Sequence, residues 1–213
     1  MAVLALTCGD AVWPGPPVDV AAVPARPGRD DLALDDAVDR LVVAGTDADL
    51  AAVVLRLLRT ERLGAVVVGY VPTSPASEVA RLWGLPVDGA VAASLALRGH
   101  PDRVPLVRDD AGGVLVGLGV VRPVRGVAYC DDEVVLRGQA ARLEVVPDLE
   151  HGLVVRVVQR TLLGRRVRAS AGRAVQLGCL PTLVERDGVP ARTPDRWTWY
   201  RHTEDLRLVR GLL

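Results

Sequence analysis

The protein is a chain of 213 residues with a formal net charge of zero, 50% apolar residues and only 3% aromatic residues. This length suffices for one or two domains with a buried core. The chain has no Lys, Asn, Phe or Ile, so all 26 basic residues are Arg, and mechanisms that need a phosphate-binding or Schiff-base lysine are excluded. The balanced charge argues against nucleic acid as the main partner, because phosphate binding needs a surplus of basic residues.

The sequence carries no sign of a membrane span, a disulfide framework or a zinc site. No apolar run reaches the roughly 18 residues that a spanning helix needs, and a short strand-like run follows Met1 without a charged leader. Cys8, Cys130 and Cys179 are far apart and lack Cys-x-x-Cys spacing, and the three histidines lack metal-ligand spacing. We therefore expect a cytoplasmic protein.

The first half of the chain alternates between strand-like and helix-like segments. Strands are predicted over residues 2–6, 18–23, 41–44 and 65–68, and helices over residues 47–58, 76–83 and 88–97. Thr73 or Ser74 is the candidate N-cap of the second helix, and Asp88 that of the third. This order predicts an α/β domain over residues 1–100, with a mainly parallel sheet covered by helices.

Past residue 100 the predicted elements are short, Val-rich strands separated by Gly, Pro or Asp. They cover residues 114–121, 126–129, 133–137, 142–146, 153–158, 166–169, 174–177, 182–185, 197–200 and 206–209. Such spacing is typical of an antiparallel sandwich or barrel. The second predicted domain is therefore all-β and covers residues 101–213.

In an α/β sheet, ligands bind beyond the carboxyl ends of the strands, so the two turns that follow the third and fourth strands are the first places to look for chemistry. The first turn reads Gly-Thr-Asp-Ala-Asp over residues 45–49. The second reads Gly-Tyr-Val-Pro-Thr-Ser-Pro-Ala-Ser-Glu over residues 69–78, and Ala-Arg-Leu-Trp-Gly-Leu-Pro follows over residues 80–86.

These segments resemble the diacylglycerol kinase catalytic-domain family, whose fold is shared with NAD kinases and sphingosine kinases. That family has a GGDGT turn, then a GTGND-type loop and an A-R-x-x-G-L-P stretch, and an Asp-Gly-Glu motif in its β domain. The present chain has Gly45 and Asp47 at the first motif, residues 80–86 at the second, and Asp187-Gly188 in its β half. The resemblance covers roughly residues 1–210 and implies two domains with a ligand crevice between them.

The resemblance also implies a set of site residues. ATP would contact Gly45, Thr46, Asp47, Thr73 and Ser74. Mg²⁺ would be held by Asp47 and Asp187, and Asp187 would be the remaining catalytic residue. Each has a simpler interpretation, since Gly45 can end a strand, Asp47 can cap a helix, and Asp-Gly is a common hairpin turn.

Three departures from the family pattern bear on activity. Thr46, Ala48 and Asp49 replace two glycines and the threonine of the first turn, and Asp49 adds negative charge beside a polyphosphate site. The second loop is proline-rich, with Glu78 as its only acidic group. Val189 stands where the family has the glutamate expected to act as base. We therefore predict a weak or inactive kinase relative with a binding or regulatory role, which uses either ATP and Mg²⁺ or no cofactor.

Two alternatives remain open at this stage. In the first, the chain is an active ATP-dependent kinase for a lipid or small alcohol, with arginines replacing the missing backbone donors. In the second, it is a non-enzymatic homodimer that associates through a Trp-bearing β surface. Trp197 and Trp199 share one strand face, which indicates either a core or a subunit interface.

Charged clusters in the second half have competing interpretations as well. Asp131, Asp132 and Glu133 form either a solvated turn or a site for a hard cation. The densest basic stretch is either a solvated sheet face or a surface for anions or an anionic membrane; it comprises Arg156, Arg160, Arg165, Arg166, Arg168 and Arg173.

Overall fold

The computed structural model describes residues 2–32, 35, 37–161 and 164–211. The strands are β1 (Ala2–Cys8), β2 (Val20–Val23), β3 (Val38–Gly45), β4 (Val67–Pro72), β5 (His100–Val104), β6 (Val107–Asp109), β7 (Val114–Leu115), β8 (Gly119–Arg122), β9 (Val124–Cys130), β10 (Glu133–Ala140), β11 (Arg142–Asp148), β12 (Gly152–Thr161), β13 (Gly164–Gly172), β14 (Ala174–Cys179), β15 (Leu183–Arg186), β16 (Val189–Pro190), β17 (Arg196–Arg201) and β18 (Leu206–Gly211). The helices are α1 (Asp47–Arg59), α2 (Glu78–Trp83) and α3 (Gly89–Arg98).

The chain divides into two units. Unit 1 comprises Met1–Val104 and Glu204–Leu213, and unit 2 comprises Pro105–Thr203. The sequence placed everything after residue 100 in the β-rich domain, whereas β5 and β18 complete the sheet of unit 1. A short Leu- and Val-rich strand such as β18 fits either sheet by its local pattern, and only its distant partners decide between them.

The sheet of unit 1 has six strands in the order β2-β1-β3-β4-β18-β5. The pairs from β2 to β18 are parallel, and β18 pairs with β5 in the antiparallel direction. The α/β prediction with a mainly parallel sheet is thereby confirmed for this unit. Because β1, β3 and β4 run in the same direction, their carboxyl ends meet at one edge, where the candidate turns begin.

Helices pack on this sheet through apolar faces. Helix α1 packs against β3 and buries Leu50, Val53, Val54 and Leu57 completely. Helix α3 approaches the sheet closely because alanines face small residues: Ala92, Ala93 and Ala96 pack with Ala5, Val42, Ala44 and Val71. A Cβ at Gly69 would lie 2.8 Å from the Ala96 Cβ, so glycine is needed there. The predicted helices 47–58 and 88–97 are both present.

A buried arginine fixes α3 to the sheet. Arg40, on β3, donates from Nη1 to the Ala96 carbonyl (2.9 Å) and from Nη2 to the Gly99 carbonyl (3.0 Å). These carbonyls lie at the C-terminus of α3, where a helix presents unpaired acceptors and partial negative charge. Burial lowers the pKa of the guanidinium from its usual value.

Within the described parts of the chain, no helix is long and apolar enough to cross a membrane.

Unit 2 consists of two six-stranded antiparallel sheets. Their strand orders are β10-β9-β14-β17-β6-β7 and β13-β12-β11-β8-β15-β16. A single core joins the inner faces of both sheets, with Ala128, Val175 and Leu177 from the first and Leu143, Val155 and Val184 from the second. This arrangement is the predicted sandwich.

The predicted strand over residues 114–121 is instead two strands in different sheets. β7 belongs to the first sheet and β8 to the second, and the chain crosses between them at residues 116–118. The residues are apolar throughout, so their pattern alone does not show the break.

Trp197 and Trp199 are completely buried in the core of unit 2, with ring centroids 5.7 Å apart in an edge-to-face arrangement. The core interpretation of this pair is therefore confirmed, and neither ring offers a surface for dimerisation. Homodimerisation by another route stays a prediction.

Candidate functional site

The first turn is built around Asp49, whose carboxylate folds back over the N-terminus of α1. Thr46 is the N-cap, and its hydroxyl accepts a hydrogen bond from the Asp49 N–H while the Asp49 carboxylate accepts from the Thr46 N–H (2.8 Å). This reciprocal arrangement is a capping box, here with Asp in the place usually taken by Glu. The Thr46 hydroxyl also donates to the same carboxylate oxygen (2.7 Å).

Asp49 also joins a second segment to the turn. Its other carboxylate oxygen accepts from the Arg26 N–H at 2.6 Å, and the side chain is buried. A Cβ at Gly45 would lie 2.8 Å from the Asp49 Oδ2, so this glycine makes room for the carboxylate. The backbone donors of Thr46 and Arg26 are therefore both held by the protein's own anion.

The second turn is organised by Asp47, the first residue of α1. Its Oδ1 accepts from the hydroxyls of Tyr70 (2.8 Å) and Ser77, and its Oδ2 accepts from the N–H groups of Glu78 (2.8 Å) and Val79 (3.3 Å). Because the first two N–H groups of α2 have no partner within the helix, a carboxylate is the natural group to hold them. Asp47 thus connects the turn after β3 to the helix that follows β4.

Tyr70 lies in β4, and its hydroxyl sits between the Asp47 carboxylate and the Gly45 carbonyl, 3.2 Å from the latter. Burial first and the negative charge of Asp47 second raise the pKa of this hydroxyl above its usual value. Tyr70 therefore stays protonated and acts as a hydrogen-bond donor in this network.

Thr73 and Ser74, predicted as nucleotide contacts, lie in the loop after β4 with exposed side chains. The Thr73 N–H donates to the Gly45 carbonyl (3.0 Å), and the Ser74 hydroxyl accepts from the Ala76 N–H (3.1 Å). Neither residue caps α2. Ser77 does so, accepting from the Ala80 N–H at 3.0 Å, and α2 begins at Glu78, two residues later than predicted.

Sequence reasoning missed Ser77 and Tyr70 as parts of this network. A signal for Ser77 was present, since Ser before Glu at the start of a helix is a common N-cap sequence. For Tyr70 there was none, because a tyrosine in a Val-rich strand fits a buried sheet equally well.

Asp187 lies in unit 2, in the two-residue turn that joins β15 to β16. Both turn residues have positive φ, +48° at Asp187 and +81° at Gly188, as in a type I′ hairpin turn. The buried Asp187 carboxylate accepts from the N–H groups of Gly117 (2.8 Å), Leu118 (3.1 Å) and Val116 (3.2 Å). It therefore holds the segment at which the chain crosses from one sheet of the sandwich to the other.

The structure brings Gly45, Thr46, Asp47 and Thr73 together in unit 1 and places Asp187 in unit 2. Among the residues that the structure describes, no group of three or more His, Cys, Asp and Glu could hold a metal ion. The pairing of Asp47 with Asp187 as magnesium ligands stays a prediction.

The Asp131 carboxylate, in the acidic cluster of residues 131–133, accepts hydrogen bonds from the Arg173 and Ala174 N–H groups and so supports the adjoining turn.

Comparison with solved structures assigns the fold. The crystal structure of a diacylglycerol kinase from Bacillus anthracis str. Sterne is similar with a TM-score of 0.70 at 14% identity, covering 99% of this chain and 97% of that chain. An NAD kinase from Archaeoglobus fulgidus, in complex with ATP, is similar with a TM-score of 0.60 at 10% identity, covering 98% of this chain and 94% of that chain.

No protein-family model and no curated protein matches the sequence. The fold that the motif resemblance implied is confirmed by the similarity in structure, which extends over both units. The chain has the fold of the diacylglycerol kinase and NAD kinase structures.

Proposed function

We propose that this protein is a lipid-kinase-like chain that does not transfer phosphate and that serves instead in binding or regulation. One observation carries the proposal: the protein's own carboxylates accept hydrogen bonds from backbone N–H groups at both turns. Asp49 holds the Thr46 and Arg26 N–H groups, and Asp47 holds those of Glu78 and Val79.

The physical argument concerns what a polyphosphate needs at such turns. Free N–H groups and the positive end of a helix bind phosphate oxygens. A carboxylate in their place removes the donors and repels the ligand, by about 1 to 4 kcal/mol for a unit charge at 4 Å, depending on solvent exposure. Phosphoryl transfer depends on positioning and on charge stabilisation, so a site with this charge supports little acceleration.

The first test is an activity measurement. Purified protein is incubated with labelled ATP, Mg²⁺ and diacylglycerol, beside the Asp47→Ala/Asp187→Ala double variant. We expect no labelled product above the level of the double variant. Turnover that the double variant abolishes would overturn the proposal and support the active-kinase alternative.

The second test measures binding by thermal melting with millimolar Mg·ATP. A ligand at a hundred times its dissociation constant stabilises a folded protein by about 2.7 kcal/mol, so binding gives a visible rise in Tm. We expect no rise for the wild type. Asp49→Ala releases two backbone donors and should gain an ATP-dependent rise, while the control Asp88→Ala, which removes the cap of α3, should not.

A further inference from the structure

Unit 2 contains a groove of about 1020 Å³ at the ends of the strands around the β12–β13 hairpin. We call it the arginine groove, because Arg122, Arg125, Arg160 and Arg166 all line it. Its described lining includes no Asp or Glu. In a protein whose formal charges sum to zero, this is a strong local excess of positive charge.

Most of these arginines are not neutralised. Arg122 forms an ion pair with Glu185 at 2.6 Å. With the Gln139 amide turned so that its oxygen faces the guanidinium, Arg125 donates to it from Nε at 3.0 Å. Within the described residues, no carboxylate forms an ion pair with Arg125, Arg160 or Arg166.

The adjoining hairpin concentrates the charge further. Arg160 on β12 is the direct cross-strand partner of Arg165 on β13, and like charges placed opposite each other destabilise a hairpin. Residues 164–169 of β13 are all exposed, which leaves their arginines accessible to a ligand. A second cavity of about 610 Å³ shares Arg122 and Arg160 with the groove and adds Arg142 and Arg165, again without a described acidic residue in its lining.

One wall of the groove is apolar and held in place. Leu180, Pro181 and Leu183 lie along it, and the Leu180 side chain is 58% exposed. The Leu180 N–H donates to the Arg125 carbonyl at 2.9 Å, and the Thr182 hydroxyl donates to the Pro123 carbonyl at 2.5 Å. The groove thus combines unpaired guanidinium groups with a fixed apolar surface.

We propose that the arginine groove binds an organic phosphate, that is, a phosphate ester attached to an apolar body. Guanidinium groups bind phosphate oxygens in pairs of charge-assisted hydrogen bonds, and the volume exceeds what inorganic phosphate fills. An anion bound in the groove offsets the charge of Arg160, which also lies opposite Arg165, while the apolar body covers Leu180. The site lies within unit 2 and does not depend on the turns of unit 1.

The experiment uses two probes that distinguish the source of the phosphate. Phenyl phosphate, a soluble phosphate ester with an apolar body, is titrated in solution and followed by calorimetry. Phosphatidylcholine vesicles with and without phosphatidic acid are tested by co-sedimentation. The variant is Arg160→Gln/Arg166→Gln, and the matched control is Arg103→Gln/Arg196→Gln, which removes the same charge at exposed positions outside the groove.

We expect binding to at least one probe, weakened about tenfold or more in the groove variant and little changed in the control. Binding of phenyl phosphate alone identifies a soluble organic phosphate, and sedimentation only with phosphatidic acid identifies a lipid head group. Absence of binding to both probes overturns the proposal, as does an equal loss in both variants. Melting curves of both variants confirm that they are folded.

Discussion

Two aspartates that the motif resemblance singles out as site residues hold together distant segments of this structure. Asp47 is predicted from the sequence resemblance as a nucleotide and magnesium contact, and its carboxylate accepts four hydrogen bonds from Tyr70, Ser77, Glu78 and Val79. Asp187, predicted as a catalytic residue, holds three backbone N–H groups where the chain changes sheets. Both residues were found from sequence, but their contacts depend on segments that lie far away in the chain.

The Asp47→Asn substitution measures how much the hydrogen bonds of this carboxylate contribute to stability. An amide has one acceptor oxygen and presents an NH₂ group to at least one of the present donors, so we expect a loss of about 2 kcal/mol in the free energy of unfolding. Urea denaturation measures it. The control is Asp88→Asn, because Asp88 caps α3 through one hydrogen bond and Asn caps nearly as well, so its loss should stay under about 0.5 kcal/mol. Equal, small losses would show that the network contributes little.

At the scale of elements, the sequence predicted whatever depends on local periodicity. Helices α1 and α3 carry their own caps and apolar stripes, so their predicted ends lie within one or two residues of the observed ones. Helix α2 is short, and with two prolines before it the choice among Thr73, Ser74 and Ser77 depends on the Asp47 carboxylate in another element. The break between β7 and β8 depends in the same way on Asp187.

Cys8 in β1 and Tyr70 in β4 should make the stability of unit 1 depend on pH in the alkaline range. Burial first and Asp49 second raise the pKa of the Cys8 thiol from 9.0 to about 12. The pKa of Tyr70 is raised in the same direction, by burial and by Asp47. Both groups bind their protons more tightly in the folded state than in the unfolded state. Their contribution to the free energy of unfolding is therefore complete below about pH 9. It is lost as the pH rises towards the pKa values that the two groups have in the folded state.

We expect the Tm to decrease as the pH is raised from 9 to 11. This decrease should be larger than any change in Tm between pH 7 and pH 8. Replacing Cys8 by Ala removes one titrating group and should make the alkaline decline shallower, although the variant starts from a lower stability. Melting curves across this pH range therefore compare how steeply the Tm decreases with pH, not the Tm values themselves. An identical slope in the wild type and the variant would exclude Cys8 as a source.

At the scale of the whole molecule, the division into an α/β part and an all-β part follows from the change in texture near residue 100. The sequence does not reveal that the chain returns to unit 1, since β18 combines Leu and Val with Arg in the same way as β12 of unit 2. Its place is set by Leu208 beside Val68 on one side and by the antiparallel ladder with β5 on the other. The pairing of β18 with β4 and β5, which lie about 100 or more residues earlier in the chain, is decided only when the whole sheet assembles.

This return makes the fold of unit 1 dependent on residues that follow unit 2 in the chain. Leu206, Leu208 and Val209 are each at most 2% exposed, and burying side chains of this size contributes roughly 2 kcal/mol apiece. Their sum of about 6 kcal/mol is comparable to the net stability of an ordinary domain, which is about 5 to 15 kcal/mol. Loss of β18 also leaves β5 without a partner in the sheet and exposes the edge of β4.

A chain that ends at Thr203 should therefore lose the native structure of unit 1, with reduced helical signal in circular dichroism, since the three helices among the described residues belong to that unit. The substitution Leu208→Asp tests the same dependence in the full-length chain, because it places a charge at a completely buried position. Val91→Asp is the matched control, since Val91 on α3 is 55% exposed and should tolerate the change. A truncated chain with full helical signal and an unchanged urea midpoint would mean that β18 is dispensable and that β1 to β4 form a stable sheet without it.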